Sequence, residues 1–270
     1  MTAMTVGTDP VVTFSGARLG FGDRVLWDDL DLTIRPGEFV AVLGPNGSGK
    51  TSLLRVLLRQ YPLDSGAVAT TGAIGYIPQQ HADDADPMAI RGRDLVGFGV
   101  DGSRWGLGLR GRSRRRELVD RALAAVDSLP YADAPLGVLS GGEQQRLRVA
   151  QAVVSDPALL LCDEPLASLD PTNQQVVVDL IDQRRRQAGT AVVFVTHEIN
   201  PILPYVDRVL YLVGGRFRIG TPDEVMTTET LSELYGSDVE VLRVNGRLIV
   251  IGGEDAHHCV DIADAGSQSA

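Results

Sequence analysis

Gly44-Pro45-Asn46-Gly47-Ser48-Gly49-Lys50-Thr51 follows the unbroken apolar run Phe39-Val40-Ala41-Val42-Leu43 and precedes residues 52–60, where leucines stand at 53, 54, 57 and 58. The apolar run has the length of a strand buried on both faces, and the leucine spacing is that of a helix. A glycine-rich turn between such a strand and such a helix matches G-x-x-x-x-G-K-[S/T] in the context that the pattern requires. The chemistry follows from the residue types. Glycines let successive backbone N–H groups wrap around phosphate oxygens. A helix beginning near Gly49 aims its positive end at the same anion. Lys50 places a point charge against the β- and γ-phosphates, and Thr51 offers a hydroxyl to Mg²⁺. Gly44, Pro45, Asn46, Gly47, Ser48, Gly49 and Ser52 complete the predicted cradle.

Lys50 stands out in the composition as well. The 270 residues carry 25 basic and 35 acidic side chains, and Lys50 is the single lysine among the basic ones. If any of those basic positions could have held it, its arrival here has a chance of about 1 in 25, which counts against an accidental motif. A compact ammonium suits a tight phosphate cradle better than a planar guanidinium fork. The net charge of −10 lacks the basic excess of a nucleic-acid binder. No apolar run approaches the roughly 18–20 residues of a membrane span. Residues 1–14 lack the basic and apolar regions of a secretory leader, and two cysteines make no disulfide framework, so a reducing cytosol is expected.

Outward from the loop, strand and helix patterns alternate. Residues 11–14, 30–34 and 74–77 read as strands, and so do the fully apolar runs 158–162 and 191–195. Helical patterns cover 142–155 and 172–188. Continuous apolar strands alternating with helices predict an α/β fold with a largely parallel sheet covered on both faces. Residues 81–137 differ: they are poor in β-branched runs and contain a helix with the apolar stripe Leu118, Ala122, Val126 and Leu129, so an inserted helical subdomain is expected there. Residues 239–244 and 247–251 flank Asn245-Gly246, a strong hairpin signal. Residues 254–270 read as a disordered polar tail and 1–10 as a flexible N-terminus.

Two further strand ends carry chemistry. Leu159-Leu160-Leu161-Cys162 runs into Asp163, where a Mg²⁺-side carboxylate is needed, and Glu164, where a base could orient a water on the γ-phosphate. His197 ends the next apolar strand.

Together these residues resemble the ATP-binding cassette ATPases, and Leu139-Ser140-Gly141-Gly142-Glu143 looks like that family's signature. Ser168-Leu169-Asp170 matches the family's D-loop, His197 its switch histidine, and Gln79, with Gln80 adjacent, its Q-loop glutamine. Phe21 falls where the family usually carries a tyrosine that stacks on adenine, and phenylalanine keeps the ring face. The resemblance spans about residues 11 to 236. It implies a P-loop core formed by 11–80 and 138–236, an N-terminal antiparallel β subdomain, a helical subdomain over 81–137 and a C-terminal hairpin over 237–253. It also implies ATP and Mg²⁺ as cofactors, with Thr51, Asp163 and Gln79 toward the metal. Two cassettes would pair head to tail, Ser140, Gly141, Gly142, Glu143 and Asp170 of one chain completing the site of the other. Glu164 would polarise water, while His197 and Gln79 would sense the γ-phosphate and Mg²⁺.

The stretch after His197 is similar to the zinc and manganese branch of metal importers, in Glu198-Ile199-Asn200-Pro201, 206–212 and 220–225. That likeness implies a permease docked on the helical subdomain and Q-loop groove, a secreted solute-binding protein, and a peripheral place on the cytoplasmic face of the membrane. An iron–siderophore importer subunit is the alternative within the class, and a soluble cassette acting on ribosomes or DNA lies outside it. Arg104, Arg110, Arg112, Arg114, Arg115 and Arg116 form either a solvated face or a contact for anionic headgroups. His257, His258 and Cys259 have zinc-ligand chemistry, yet three neighbours in a flexible tail do not close a tetrahedral set.

Overall fold

The computed structural model describes residues 9–79, 90–101 and 112–252. Gln80, Arg104, Arg110 and the 254–270 segment with His257, His258 and Cys259 lie outside the described residues, as do 1–8.

Strands β1 (Val12–Phe21) and β2 (Arg24–Ile34) form an antiparallel hairpin, β3 (Phe39–Leu43) runs through the glycine-rich turn into α1 (Lys50–Leu57), and β4 (Ser65–Thr70) returns to pair with β1. The chain continues through β5 (Ile74–Ile77), α2 (Gly92–Asp101), α3 (Arg112–Ala125), α4 (Gly141–Val153), β6 (Leu159–Asp163), α5 (Pro171–Ala188), β7 (Ala191–Val195), β8 (Arg208–Val213) and β9 (Arg216–Gly220). It closes with α6 (Pro222–Val225), α7 (Thr228–Tyr235), β10 (Val239–Val244) and β11 (Arg247–Gly252).

The central sheet has the order β5-β6-β7-β3-β8-β9 and is parallel except for β9. Every residue of β3, β6 and β7 is buried, as their unbroken apolar sequences require. Alternation along each strand divides those residues between two cores. Phe39, Ala41, Leu160, Cys162, Val192 and Phe194 face α3, α4 and α5, with the Phe39 and Phe194 rings stacked at 5.6 Å. Val40, Val42, Leu159, Leu161, Val193 and Val195 face α1 and the three-stranded sheet β2-β1-β4, around Trp27, Leu53 and Leu54.

Several elements differ from the sequence pattern. β1 and β2 run well beyond 11–14 and 30–34, because exposed polar residues and bulges near Gly16 interrupt the apolar signal without ending the pairing. The stripe of α3 fails at Leu129. The helix ends at Ala125, Asp127 turns the chain at φ 52°, and Leu129 is 46% exposed, while Val119 and Leu123 fill the core. Arg115 lies against Gly97 of α2, so it belongs to helix packing, whereas Arg114 and Arg116 are exposed.

Candidate nucleotide site

β6, β7 and β3 are neighbours and parallel, so the segments that follow them emerge at one edge of the sheet. This is where open parallel sheets bind ligands. The glycine-rich loop follows β3, Asp163 and Glu164 end and follow β6, and Thr196 and His197 follow β7.

The loop is packed from behind. Gly44 has φ 138°, and a Cβ there would stand 2.1 Å from the Leu212 carbonyl oxygen. Gly49, at φ 103°, caps α1, and a Cβ there would stand 2.9 Å from the buried Trp27 ring. Only glycine combines these left-handed dihedrals with so close an approach. Lys50 is buried, and its Nζ donates to the carbonyls of Gly44 at 2.7 Å and Pro45 at 2.9 Å. Burial pulls its pKa down, opposed by Glu164 and Asp163. The buried Ser48 hydroxyl has no hydrogen-bond partner among the described residues.

Asp163 is buried. Its Oδ1 accepts from Thr51 Oγ1 at 3.1 Å and its Oδ2 from the Tyr76 hydroxyl at 3.4 Å. Burial raises the Asp163 pKa against those two hydrogen bonds, and burial together with Asp163 pushes Tyr76 up to about 12. Glu164 sits in the left-handed region at φ 47°, a strained conformation for a side chain of its length, held by its N–H donating to the Val195 carbonyl at 3.0 Å. Gln79 Nε2 donates to Glu164 Oε2 at 3.4 Å, and His197 Nδ1 lies 3.4 Å from the same oxygen. The contact with His197 lowers the Glu164 pKa and raises that of His197. Two residues remote in sequence, Gln79 and His197, thus meet on one oxygen of Glu164.

The remaining candidates stand on other elements. Ser140 caps α4: its hydroxyl accepts from the Glu143 N–H at 3.3 Å, and the Glu143 carboxylate accepts from the Ser140 N–H at 2.8 Å. That leaves Gly141 and Gly142 in the first turn. Asp170 caps α5 by accepting from the N–H groups of Thr172 and Asn173, both at 3.0 Å. Among the described residues no hydrogen bond joins the Ser140–Glu143 turn to the Lys50 loop. Phe21, at the end of β1, is 51% exposed and meets Tyr61 edge-on at 5.4 Å. Across the same turn, Arg24 donates to the Gly47 carbonyl at 2.8 Å and ties the aromatic hairpin to the loop. Neither Arg24 nor Tyr76 is legible as a site residue from spacing. Tyr76 has one available signal, its place three residues before Gln79 on a strand that pairs with β6.

The Thr51 hydroxyl and the Asp163 carboxylate, side by side, are the hard oxygen donors that Mg²⁺ prefers. A glycine cradle, a buried lysine and a buried carboxylate at the edge of a parallel sheet define a P-loop nucleoside triphosphatase. The family model described as ABC transporter matches residues 27–167, and the chain belongs to that family. It is an ATPase that uses ATP with Mg²⁺. The zinc import ATP-binding protein ZnuC of Yersinia pestis is 33% identical over 230 residues, covering 84% of this chain and 85% of the relative. The aliphatic sulfonates import ATP-binding protein SsuB 1 of Nocardia farcinica is 36% identical over 254 residues, covering 93% and 97%. Among solved structures, an inward-facing transporter described as of metal-chelate type matches with TM-score 0.78 and 25% identity, covering 90% of this chain and 96% of that one. A dimeric ATP-binding cassette in a post-hydrolysis state with ADP and Pi matches with TM-score 0.65 and 25% identity, covering 78% and 98%.

Proposed function

We propose that this ATPase is the nucleotide-hydrolysing subunit of an importer for a divalent metal ion, zinc or manganese. The observation that carries the cargo is the likeness to the zinc import protein over most of both chains. In this reading Lys50 and the amides of residues 44–52 hold the phosphates, and Phe21 stacks on the adenine. Thr51, Asp163 and Gln79 hold Mg²⁺, which supplies charge neutralisation at the β- and γ-phosphate oxygens. Glu164 accepts a proton from the attacking water, and His197 holds the γ-phosphate end of that arrangement. Ser140, Gly141, Gly142, Glu143 and Asp170 act on the site of a second cassette. Each chain therefore carries two half-sites, and turnover requires a dimer.

The core spans 11–80 and 138–236, and the helical subdomain over 81–137 receives a permease beside Gln79. No helix among the described residues is long and apolar enough to cross a membrane. A permease supplies the pathway, a secreted solute-binding protein delivers the cargo, and the chain works from the cytoplasmic face. The test is reconstitution with the permease and binding protein encoded beside this chain, followed by ATP-dependent uptake of Zn²⁺, Mn²⁺, a ferric siderophore and an alkanesulfonate. Uptake of Zn²⁺ or Mn²⁺ supports the reading. Uptake of the ferric siderophore supports the second reading, favoured by the metal-chelate transporter structure. Uptake of the sulfonate alone overturns both.

A further inference from the structure

The C-terminal hairpin is physically joined to the loop that carries His197. Asn200 stands three residues beyond the histidine. Its Nδ2 donates to the Leu248 carbonyl at 2.9 Å, and the Leu248 N–H donates to its Oδ1 at 2.8 Å. A side-chain amide here does what a neighbouring strand would do: it satisfies both backbone groups that β11 presents at Leu248, away from β10. Such a reciprocal pair has one geometry, unlike an apolar contact that tolerates sliding.

Both sides of the clamp are anchored. On the loop side, the Thr196 hydroxyl donates to the Glu198 carbonyl at 3.0 Å and accepts from the Glu198 N–H at 3.1 Å, closing a tight turn around His197. Ile199 and Ile202 are buried in the same core as Leu248. On the hairpin side, the Ser232 hydroxyl bonds both the N–H and the carbonyl of Val239 at 3.0 Å, and Thr228 Oγ1 accepts from the Val241 N–H at 3.0 Å. The hairpin is thereby fixed to α7. Residues 196–200 are held from within by Thr196 and from without by β11, with the imidazole between the two.

We infer that Asn200 is a positioning residue for ATP hydrolysis, clamping the His197 loop to the C-terminal hairpin so that the imidazole stays at Glu164. The hairpin then has a role in turnover through the loop it grips. This rests on the reading of His197 as a residue of the reacting centre.

Asn200→Ala removes both bonds. Asn200→Asp keeps an acceptor for the Leu248 N–H but sets a carboxylate oxygen against the Leu248 carbonyl. Both variants are made in the full-length chain and assayed for steady-state hydrolysis of Mg-ATP, affinity for a fluorescent ATP analogue, and melting temperature. The expected result is a kcat lowered on the order of tenfold in each, with KM and analogue affinity within about twofold of the parent and a melting temperature lowered by only a few degrees, the cost of freeing the two Leu248 backbone groups. A parental kcat in both variants overturns the inference. So does a loss of kcat in step with affinity and melting temperature, the mark of a merely structural role. His197→Ala separates this from the underlying reading: parental kcat in that variant removes the role of His197 itself. Lost kcat there, beside parental kcat in both Asn200 variants, overturns the clamp alone.

Discussion

The side chain of Asn173 fills the space beside Gly142: a Cβ built on the glycine would stand 2.2 Å from Asn173 Oδ1. Asn173 Nδ2 in turn donates to Asp170 Oδ2 at 2.5 Å. The first turn of α4 and the cap of α5 are therefore one packed unit. The two segments proposed to act on a second cassette sit on a common block.

Gly142→Ala leaves no space for the Asn173 amide where it stands, so the amide or the turn must shift. Overpacking of this kind costs about 1–3 kcal/mol, and a displaced Ser140–Gly142 turn loses its relation to Asp170. ATPase activity is expected to fall at least tenfold, roughly, with ATP-analogue binding to the isolated chain retained. Adding Asn173→Ala to the same chain removes the clashing amide and recovers part of the activity. No recovery in the double variant counts against the packing account.

Lys50→Arg keeps the charge but changes the shape of the group held by the loop. The ammonium is buried and bonded to two loop carbonyls, at 2.7 Å and 2.9 Å. A planar fork cannot occupy that position without moving the loop. Turnover is expected to drop at least about 100-fold. Near-parental hydrolysis would overturn the cradle assignment.

Glu164→Gln keeps the shape of the side chain and removes its basicity. The expected kcat loss is roughly 100-fold or more, with affinity for ATP preserved. Comparable kcat in parent and variant removes Glu164 as the base and returns it to a structural role under Gln79 and His197.

Phe21 presents half of its surface to solvent while its edge rests on Tyr61. Phe21→Ala removes a stacking platform of about 1–3 kcal/mol and is expected to raise KM for ATP roughly tenfold, with kcat little changed. An unchanged KM would show that adenine does not stack there.

The Glu164–His197 contact makes stability depend on pH. His197 is raised above its ordinary 6.5, so its contribution is complete below that pH and is lost as pH rises through the raised value. Glu164 is lowered beneath its ordinary 4.5, so its contribution is complete above that pH and is lost as pH falls through the lowered value. The pair therefore stabilises most between 4.5 and 6.5. The melting-temperature gap between parent and His197→Gln is expected to be widest near about pH 5.5 and to narrow toward about pH 9. A gap independent of pH would show that the contact is not ionic.

Much of the architecture is legible in the residues themselves. β3, β5, β7 and β10 coincide with their sequence patterns; continuous burial marks β3 and β7, and the tight Asn-Gly turn marks β10. β1 and β2 are less legible, since bulges shift their alternation, and Leu129 reads as core although a left-handed turn at Asp127 carries it outside. The candidate site divides in the same way. The Lys50 loop, Asp163-Glu164 and the Ser140 capping box are local patterns, whereas Arg24, Tyr76, Asn173 and Asn200 have no pattern that points to their partners.

By itself the sequence determined the glycine-rich turn between β3 and α1, which strands are buried on both faces, and the family to which the chain belongs. These depend on interactions within a strand, a turn or a helix cap, where spacing along the chain is spacing in space. Only the tertiary structure decided that Gln79 and His197 converge on one oxygen of Glu164, that Asn173 fills the gap beside Gly142, and that Asn200 grips β11. Those contacts join segments from different strands and helices. Their existence depends on strand order and packing angle, which no residue spacing along the chain encodes.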